Sequence, residues 1–105
     1  MARVLTAATV HVAAAHTAEW LATLEVLAQC LAARGQHLWV FRRDDADEQW
    51  LEFTEGKDEM THRVRGPADD RERALEARLR ALATYDAATG DIRWREVPLG
   101  NRQEG

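Results

Sequence analysis

Two strand-like runs, separated by only four residues of which three are Asp, occupy the middle of the chain and restrict the folds that it can adopt. The first run, QHLWVFRR, spans residues 36–43, and the second, EQWLEFTE, spans 48–55. β-branched and aromatic residues favour strands, and the intervening residues 44–47, DDAD, are few enough for a hairpin loop. The sequence therefore predicts a β-hairpin.

The segment before the hairpin predicts a strand followed by a helix. Residues 3–12, RVLTAATVHV, are small and β-branched, which is typical of a strand. A helix then begins at His16 or Thr17, with Glu19 in the first turn, where the helix dipole favours an anion. Its apolar residues recur at the spacing of one helical face: Trp20, Leu24, Leu27 and Leu31. Gly35 is placed to end the helix in a left-handed turn.

The segment after the hairpin predicts a second helix and a last strand. Gly66 and Pro67 break regular structure, and Asp69 with Glu72 three residues later is typical of a capping box. The helix that follows has four residues on one face: Leu75, Leu79, Leu82 and Tyr85. Residues 91–97, DIRWREV, predict the closing strand.

These elements follow in the order β-α-β-β-α-β, which is the ferredoxin-like arrangement. The predicted fold is α+β, an antiparallel sheet with two helices on one face. We expect one domain over residues 1–99 and a polar C-terminal tail at residues 100–105.

Pairing the hairpin strands symmetrically about the four-residue loop assigns each side chain to a face of the sheet. Arg43 then lies opposite Glu48, and successive side chains point to opposite faces. One predicted face carries core residues suited to packing beneath two helices: Leu38, Val40, Leu51 and Phe53. The other predicted face carries aromatic and polar residues: His37, Trp39, Phe41, Trp50, Glu52 and Thr54.

This second face is more apolar than is usual for the side of a sheet that helices do not cover. Helices cover one side of the sheet in a two-layer fold, and the other side of an antiparallel sheet is normally polar. Leaving three rings of roughly 150–250 Å² each in water forgoes several kcal/mol at about 25 cal/mol per Å². We therefore expect a second copy of the chain to cover this face, giving a homodimer. A small-molecule ligand in the cleft between the copies is compatible with that expectation.

Composition argues against several classes of function. The net charge of −4 is unlike that of a nucleic-acid-binding protein. No apolar run approaches the ~20 residues of a membrane span. Cys30 is the single cysteine, which rules out an intramolecular disulfide and favours the cytoplasm. Cys, His and carboxylates do not recur at metal-ligand spacing, so no metal is expected.

Glu52 is the principal candidate for catalysis. If it is enclosed between Trp39 and Trp50, its carboxylate loses hydration and its pKa rises, as a general base requires. The alternatives are a salt bridge to Arg93 or Arg95, or exposure in a wet cleft.

Histidines and aromatic residues are the secondary candidates. His37 and His62 have the side chain for acid–base work, the alternative being surface or hydrogen-bonding roles. Four rings are candidates to line a pocket for a flat substrate: Trp39, Phe41, Trp50 and Trp94. The alternative for these rings is packing in the dimer core, and the pattern of the last strand leaves the face of Trp94 open.

Three segments carry a resemblance to a known family. They are the first strand VLTAATVHV, the hairpin with the residues that follow it, HLWVFRRDDADEQWLEFTEGKDEMTH, and the closing strand IRWREVPL. Together they resemble the dimeric α/β-barrel superfamily, close to the antibiotic biosynthesis monooxygenase-like proteins. In that family the third strand ends in an aromatic–Glu stretch, and a short helical turn with a His near its end follows. Glu52 and His62 lie at the matching positions.

The resemblance implies a homodimer whose two sheets close into a barrel, with a small-molecule pocket between each sheet and its helices. Some members oxidise polycyclic phenols or quinols with O₂ and no bound metal or flavin, and others cleave haem. The implied activity is a cofactor-independent monooxygenation of an aromatic or quinol-like substrate, with haem or flavin as the alternative cofactors. The family's oxygenases commonly use an Asn–Trp pair, whereas the single Asn here, Asn101, lies in the tail. The alternative function is non-catalytic binding of a ligand or a partner through the same face.

Overall fold

An antiparallel sheet with two longer helices on one face makes up the part of the chain that the computed structural model describes, residues 3–56, 67–90 and 92–100. The described elements are β1 (Val4–His11), a 3₁₀ turn (Ala14–His16), α1 (Thr17–Ala32), β2 (Gln36–Arg42), β3 (Gln49–Gly56), α2 (Asp70–Leu82), β4 (Thr84–Tyr85), α3 (Ala87–Gly90) and β5 (Arg93–Arg95). β1 pairs with β3 on one side and with β4 and β5 on the other, and β2 lies outside β3. The predicted α+β, ferredoxin-like fold is confirmed.

The two ends of α1 follow local signals in the sequence. Glu19 lies in its first turn, and its buried residues are the four that the spacing predicts: Trp20, Leu24, Leu27 and Leu31. Gly35 has a φ of 81°, in the left-handed region, where a residue without Cβ pays no steric penalty. The predicted turn after the helix is confirmed.

A capping box begins α2. Asp69 Oδ1 accepts a hydrogen bond from the Glu72 backbone N–H at 2.9 Å, and Glu72 Oε1 accepts one from the Ala68 N–H at 3.1 Å. The same Glu72 carboxylate lies 2.9 Å from the Arg34 guanidinium, just after α1. One side chain therefore caps α2 and joins it to the end of α1.

α2 ends one turn earlier than its apolar spacing suggests. Ala83 has extended backbone angles, φ −145° and ψ 159°, and Tyr85 pairs with Val10 of β1. Tyr85 was predicted on the apolar face of the helix, but it lies in β4 on the helix-covered side of the sheet. An aromatic residue and the β-branched Thr84 before it suit a strand better than a helix end.

The hairpin forms, but the predicted register is wrong by one residue. The Arg43 N–H donates to the Gln49 carbonyl at 2.9 Å, so five residues lie between the paired positions instead of four. In the strands, Trp39 pairs with Phe53 and Val40 with Glu52. A slip of one residue moves every side chain of a strand to the opposite face.

Glu48 causes this shift because it bonds to the segment after β1. Its carbonyl accepts from the Val12 N–H at 2.9 Å, and its carboxylate accepts from the Ala14 N–H at 3.0 Å. The Gln49 N–H turns back to the Ala46 carbonyl at 3.0 Å. Arg43 therefore pairs with Gln49, and Glu48 belongs to the loop.

The corrected register divides the predicted aromatic face between the two sides of the sheet. Trp50, Glu52 and Thr54 lie on the helix side, opposite Val10, Ala8 and Thr6 of β1. We call the other side, which no described helix of the core covers, the open face; it carries Leu5, Ala7, Thr9, His37, Trp39, Phe41, Leu51, Phe53 and Trp94. Leu51 and Phe53 were predicted as core, and this prediction is wrong.

The core lies between the sheet and the two longer helices. Its buried members come from β1 and the residues just after it, from α1 and from α2: Val10, Val12, Trp20, Leu24, Leu27, Leu31, Leu79 and Leu82. Leu38, Val40 and Trp50 pack against them from the hairpin.

The outer strand beside β1 is interrupted. Tyr85 pairs with Val10 and Arg93 with Thr6, so β1 advances four residues while the outer chain uses eight, and the excess contains α3. At the interruption, the backbone of Thr9 bonds to the insertion instead of to a strand. Its carbonyl accepts from the Asp86 N–H at 2.9 Å, and its N–H donates to Thr89 Oγ1 at 3.2 Å. The predicted closing strand, residues 91–97, is confirmed only as Arg93–Arg95.

Candidate functional site

Three polar side chains meet between the sheet and the helices. The Trp20 indole N–H, from α1, donates to the Tyr85 hydroxyl oxygen at 3.1 Å. The Tyr85 O–H, from β4, then donates to Glu52 Oε1 at 2.8 Å. Glu52 lies on β3 opposite Ala8 and Val40, whose small side chains leave room for a carboxylate.

Burial governs the protonation of this cluster. It raises the pKa of Glu52, while the Tyr85 hydrogen bond and the positive charge of Arg80 act in the opposite direction, and Glu76 raises it further. Burial, followed by the Glu52 charge, also raises the pKa of Tyr85. The carboxyl therefore takes up a proton more readily than an exposed Glu does, and Tyr85 stays a phenol that donates.

Trp50 closes the cluster on the hairpin side. Its ring lies edge-to-face with Trp20, with 5.2 Å between centroids, and the Arg42 guanidinium carbon lies 5.9 Å from the Trp50 ring centroid. The Trp50 Nε1 atom is buried and has no hydrogen-bond acceptor among the described residues. Arg80 likewise lies over the Tyr85 ring, 4.9 Å from its centroid.

The cluster has the parts of a general base. A carboxylate with a raised pKa is a stronger base than an ordinary carboxylate. It therefore removes a proton from a substrate more readily. Tyr85 occupies Glu52 Oε1, and none of the described residues donates to Oε2, which is the oxygen left to accept a proton. Trp20 is fully buried, so the half-buried Trp50 is the adjacent indole that is suited to contact with a flat ring.

The structure brings only part of the predicted site together. Glu52 and Trp50 share the helix side, but Trp39 and Phe41 lie on the open face, so the predicted enclosure of Glu52 between Trp39 and Trp50 is wrong. Its bonding partner is Tyr85, and its neighbouring positive charge is Arg80, not Arg93 or Arg95, which the sequence offered as the alternative. The catalytic role of Glu52 stays a prediction.

Of the two histidine candidates, His37 lies apart from this cluster. His37 is exposed on the open face, where its ring stacks on Trp39 with 5.8 Å between centroids and its Nδ1 lies 3.7 Å from Glu55 Oε1. His62 falls outside the described residues. The predicted acid–base roles of both residues stay predictions.

Aromatic residues remain exposed on the open face. Trp39, Phe41 and Trp94 are 44%, 57% and 56% exposed, and Phe41 packs edge-to-face on Phe53 at 5.5 Å. The face of Trp94, which the sequence left open, follows from its pairing with Leu5. Beside Trp94 lies an apolar groove of about 340 Å³, lined by Leu5, Ala7, Thr9, Leu51, Phe53, Thr89, Ile92 and Trp94.

Sequence reasoning missed Trp20, Tyr85 and Arg80 as members of the site. Trp20 and Tyr85 were assigned to apolar helical faces on spacing alone. A signal was present: a buried Tyr or Trp usually finds a partner for its polar atom, so two such residues facing one core predict a polar contact within it.

Within the described ranges, no group of three or more His, Cys, Asp or Glu side chains is arranged to hold a metal ion. In the same part of the chain, no helix has the length and apolar character needed to cross a membrane.

Comparison with known proteins gives matches of structure only. No family model matches the chain, and no curated protein does. SnoaB, a cofactor-independent oxygenase from Streptomyces nogalater, is similar with a TM-score of 0.70 and 20% identity over 94% of this chain and 95% of that one. A putative antibiotic biosynthesis monooxygenase from Bordetella bronchiseptica has a TM-score of 0.67 and 13% identity over 94% and 99% of the two chains. A putative antibiotic biosynthesis monooxygenase from Deinococcus radiodurans has a TM-score of 0.65 and 14% identity over 94% of this chain and 93% of that one.

The chain has the antibiotic biosynthesis monooxygenase fold. The resemblance seen in its three sequence segments is thereby confirmed at the level of architecture. Each of these proteins matches this chain over nearly its full length.

Proposed function

We propose that the protein is a cofactor-independent monooxygenase for an aromatic or quinol-like substrate, with Glu52 as the general base. The observation that carries the proposal is the carboxylate of raised pKa, held by Tyr85 between the sheet and the helices. A fold shared with a cofactor-independent oxygenase supports it.

In the proposed reaction, Glu52 Oε2 accepts a proton from the substrate. The resulting substrate anion is electron-rich and reduces O₂ without a metal or flavin. One oxygen atom enters the substrate and the other leaves as water, whose two hydrogens come from the substrate. Tyr85 keeps its hydrogen bond to Oε1 and so fixes the carboxylate in one orientation.

Oxygen uptake with phenols and quinols tests this proposal. Glu52→Gln keeps the shape of the side chain and an acceptor for Tyr85 but removes the base, and loss of general-base catalysis typically lowers rates by about 10²–10⁴-fold. Glu25→Gln, an exposed change on α1, is the matched control and should retain the wild-type rate. Equal rates for wild type and Glu52→Gln would remove Glu52 from the mechanism.

Non-catalytic ligand binding is the second candidate, and the apolar groove on the open face favours it. A ligand in that groove should quench Trp94 emission, whereas a ligand beside Glu52 should quench Trp50. Titrating Trp94→Phe and Trp50→Phe with the same phenol separates the two positions. Quenching that is lost only in Trp94→Phe, without oxygen uptake, would favour binding at the groove.

We further propose that the protein is a homodimer that associates through the open face, and that it works in the cytoplasm. The exposed rings of Trp39, Phe41 and Trp94 support the dimer. Covering the exposed halves of three such rings is worth several kcal/mol at about 25 cal/mol per Å². The lone Cys30 supports the compartment.

A further inference from the structure

The aromatic residues of the cluster form a continuous chain of contacts from the half-buried Trp50 to Glu52. Trp50 touches the fully buried Trp20 edge-to-face, and Trp20 is hydrogen-bonded to Tyr85. Tyr85 is hydrogen-bonded in turn to Glu52. The first two steps are direct contacts between oxidisable side chains. The third is a hydrogen bond from Tyr85 to a proton acceptor, Glu52.

We propose that Trp50, Trp20 and Tyr85 form a path for one-electron oxidation that ends at Tyr85, with Glu52 accepting the tyrosine proton. The oxidation starts when an oxygen-centred radical, or another strong one-electron oxidant, reaches Trp50 and removes an electron from its ring. This activity does not depend on the proposed oxygenase function.

The step balances in electrons and protons. The external radical takes one electron from Trp50 and leaves an indole radical cation. An electron then passes from Tyr85 through Trp20 to Trp50, and the Tyr85 O–H proton moves to Glu52 in the same event. The products are a neutral Tyr85 phenoxyl radical, a protonated Glu52 and a restored Trp50.

Two features of Trp50 favour movement of the oxidation inward. Its Nε1–H is buried without an acceptor among the described residues, so the radical cation cannot easily lose that proton and remains a strong oxidant. The Arg42 guanidinium lies over its ring and further disfavours a positive charge there.

Tyr85 is suited to end the path because its oxidised form there is neutral. A phenol that loses an electron becomes a strong acid, and the Glu52 carboxylate 2.8 Å away is placed to take the proton. The Arg80 charge over the Tyr85 ring disfavours a phenol radical cation but not a neutral phenoxyl. Electron and proton are therefore expected to leave Tyr85 together.

Pulse radiolysis with the azidyl radical, which oxidises indoles, tests the proposal directly. The chain contains four Trp and one Tyr, so any phenoxyl signal reports Tyr85 alone. We expect the absorbance of the indole radical cation to decay while the phenoxyl absorbance rises, at a rate that does not change with protein concentration. A rate proportional to concentration, or no phenoxyl signal in the wild type, would overturn the proposal.

Three variants locate the path. Trp50→Phe should lower the delayed phenoxyl yield at least fivefold because the entry point is lost, whereas Glu25→Gln, the exposed change on α1, should leave it unchanged. Glu52→Gln, at mildly alkaline pH, should slow the phenoxyl rise at least tenfold. Near-ultraviolet circular dichroism checks that each variant is folded. A wild-type yield in Trp50→Phe, or a wild-type rate in Glu52→Gln, would contradict the path.

The same variants separate this inference from the oxygenase proposal. Oxygen uptake that fails with every phenol, together with the radical transfer described, would reject the oxygenase and keep the path. Uptake that depends on Glu52, without radical transfer, would do the reverse.

Discussion

Tyr85 accepts one hydrogen bond and donates another, and both involve polar atoms inside the core. At the scale of single residues, this hydroxyl satisfies the Trp20 N–H and at the same time orients the Glu52 carboxylate. When one partner of a buried hydrogen bond is removed, the other partner stays buried without a hydrogen bond. The resulting loss in the free energy of unfolding is larger than the net contribution of the intact bond.

Tyr85→Phe should therefore lower the free energy of unfolding by about 1–3 kcal/mol, because the Trp20 N–H loses its acceptor. It should also raise the pKa of Glu52 further, since the Tyr85 hydrogen bond lowers it. Urea denaturation measures the first effect. The acid limb of the pH–rate profile measures the second and should move to higher pH. A stability change of only a few tenths of a kcal/mol would show that the bond to Trp20 is weak.

Glu52→Gln should stabilise the protein at neutral pH but not in acid. A raised folded-state pKa means that the folded chain binds more protons than the unfolded chain, so wild-type stability falls as pH rises from the ordinary carboxyl value of 4.5 through the folded value. Gln carries no such penalty. Unfolding by urea across a pH series should show a difference that is absent at the acid end and grows with pH.

Glu25→Gln provides the baseline for that series because Glu25 is exposed. The groups that surround Glu52, namely Tyr85, Arg80 and Glu76, are the same in both variants. A difference from wild type that does not change with pH would contradict the assignment of the raised pKa to Glu52.

At the scale of elements, the helices depend on signals that lie within a few residues of each other. The capping box at Asp69 and Glu72 and the left-handed Gly35 both form where the sequence predicts. Such features were predictable because each involves only neighbouring residues.

Asp69→Ala should lower the free energy of unfolding by about 0.5–2 kcal/mol, because the Glu72 N–H loses its cap. Asp70→Ala, one residue further on, is the matched control. Its fully exposed carboxylate pairs with Arg73 at the surface, where water and salt screen the pair, so its loss should change the stability much less. Thermal or urea unfolding compares the two, and equal losses would show that the cap contributes nothing specific.

The hairpin register was not predictable in the same way. Its loop length depends on Glu48, whose bonds go to Val12 and Ala14, more than thirty residues earlier in the chain. A symmetric loop was the simplest local solution, and it placed Trp50 and Glu52 on the wrong side of the sheet. Glu52 was selected by residue type, and its role as a base stays a prediction, while its neighbours Trp20, Tyr85 and Arg80 are brought to it by contacts that local pattern does not encode.

At the scale of the whole molecule, the two sides of the sheet differ in the side chains that they carry. The helix side holds the polar cluster, and the open face presents apolar side chains with no described element over most of them. A hydrophobic surface of this kind usually marks an interaction site.

Phe41→Glu should convert the proposed dimer to a monomer, because a charge would be buried in the interface without a partner. Sedimentation equilibrium should give about twice the chain mass of 11.9 kDa for the wild type and the single mass for the variant. Ala22→Glu, an exposed position on α1, adds the same charge elsewhere and should stay dimeric. A monomeric wild type would reject the dimer.

The interrupted outer strand affects how two copies of the chain can associate. β4 and β5 contribute only two and three residues to the sheet, and the insertion between them already uses the backbone of Thr9. That margin offers an incoming strand little continuous backbone to bond to, and short or irregular margins discourage the growth of sheets from one molecule into the next. Growth of the sheet from one copy to the next is therefore disfavoured along that margin, which leaves the flat open face as the surface for the association that we propose.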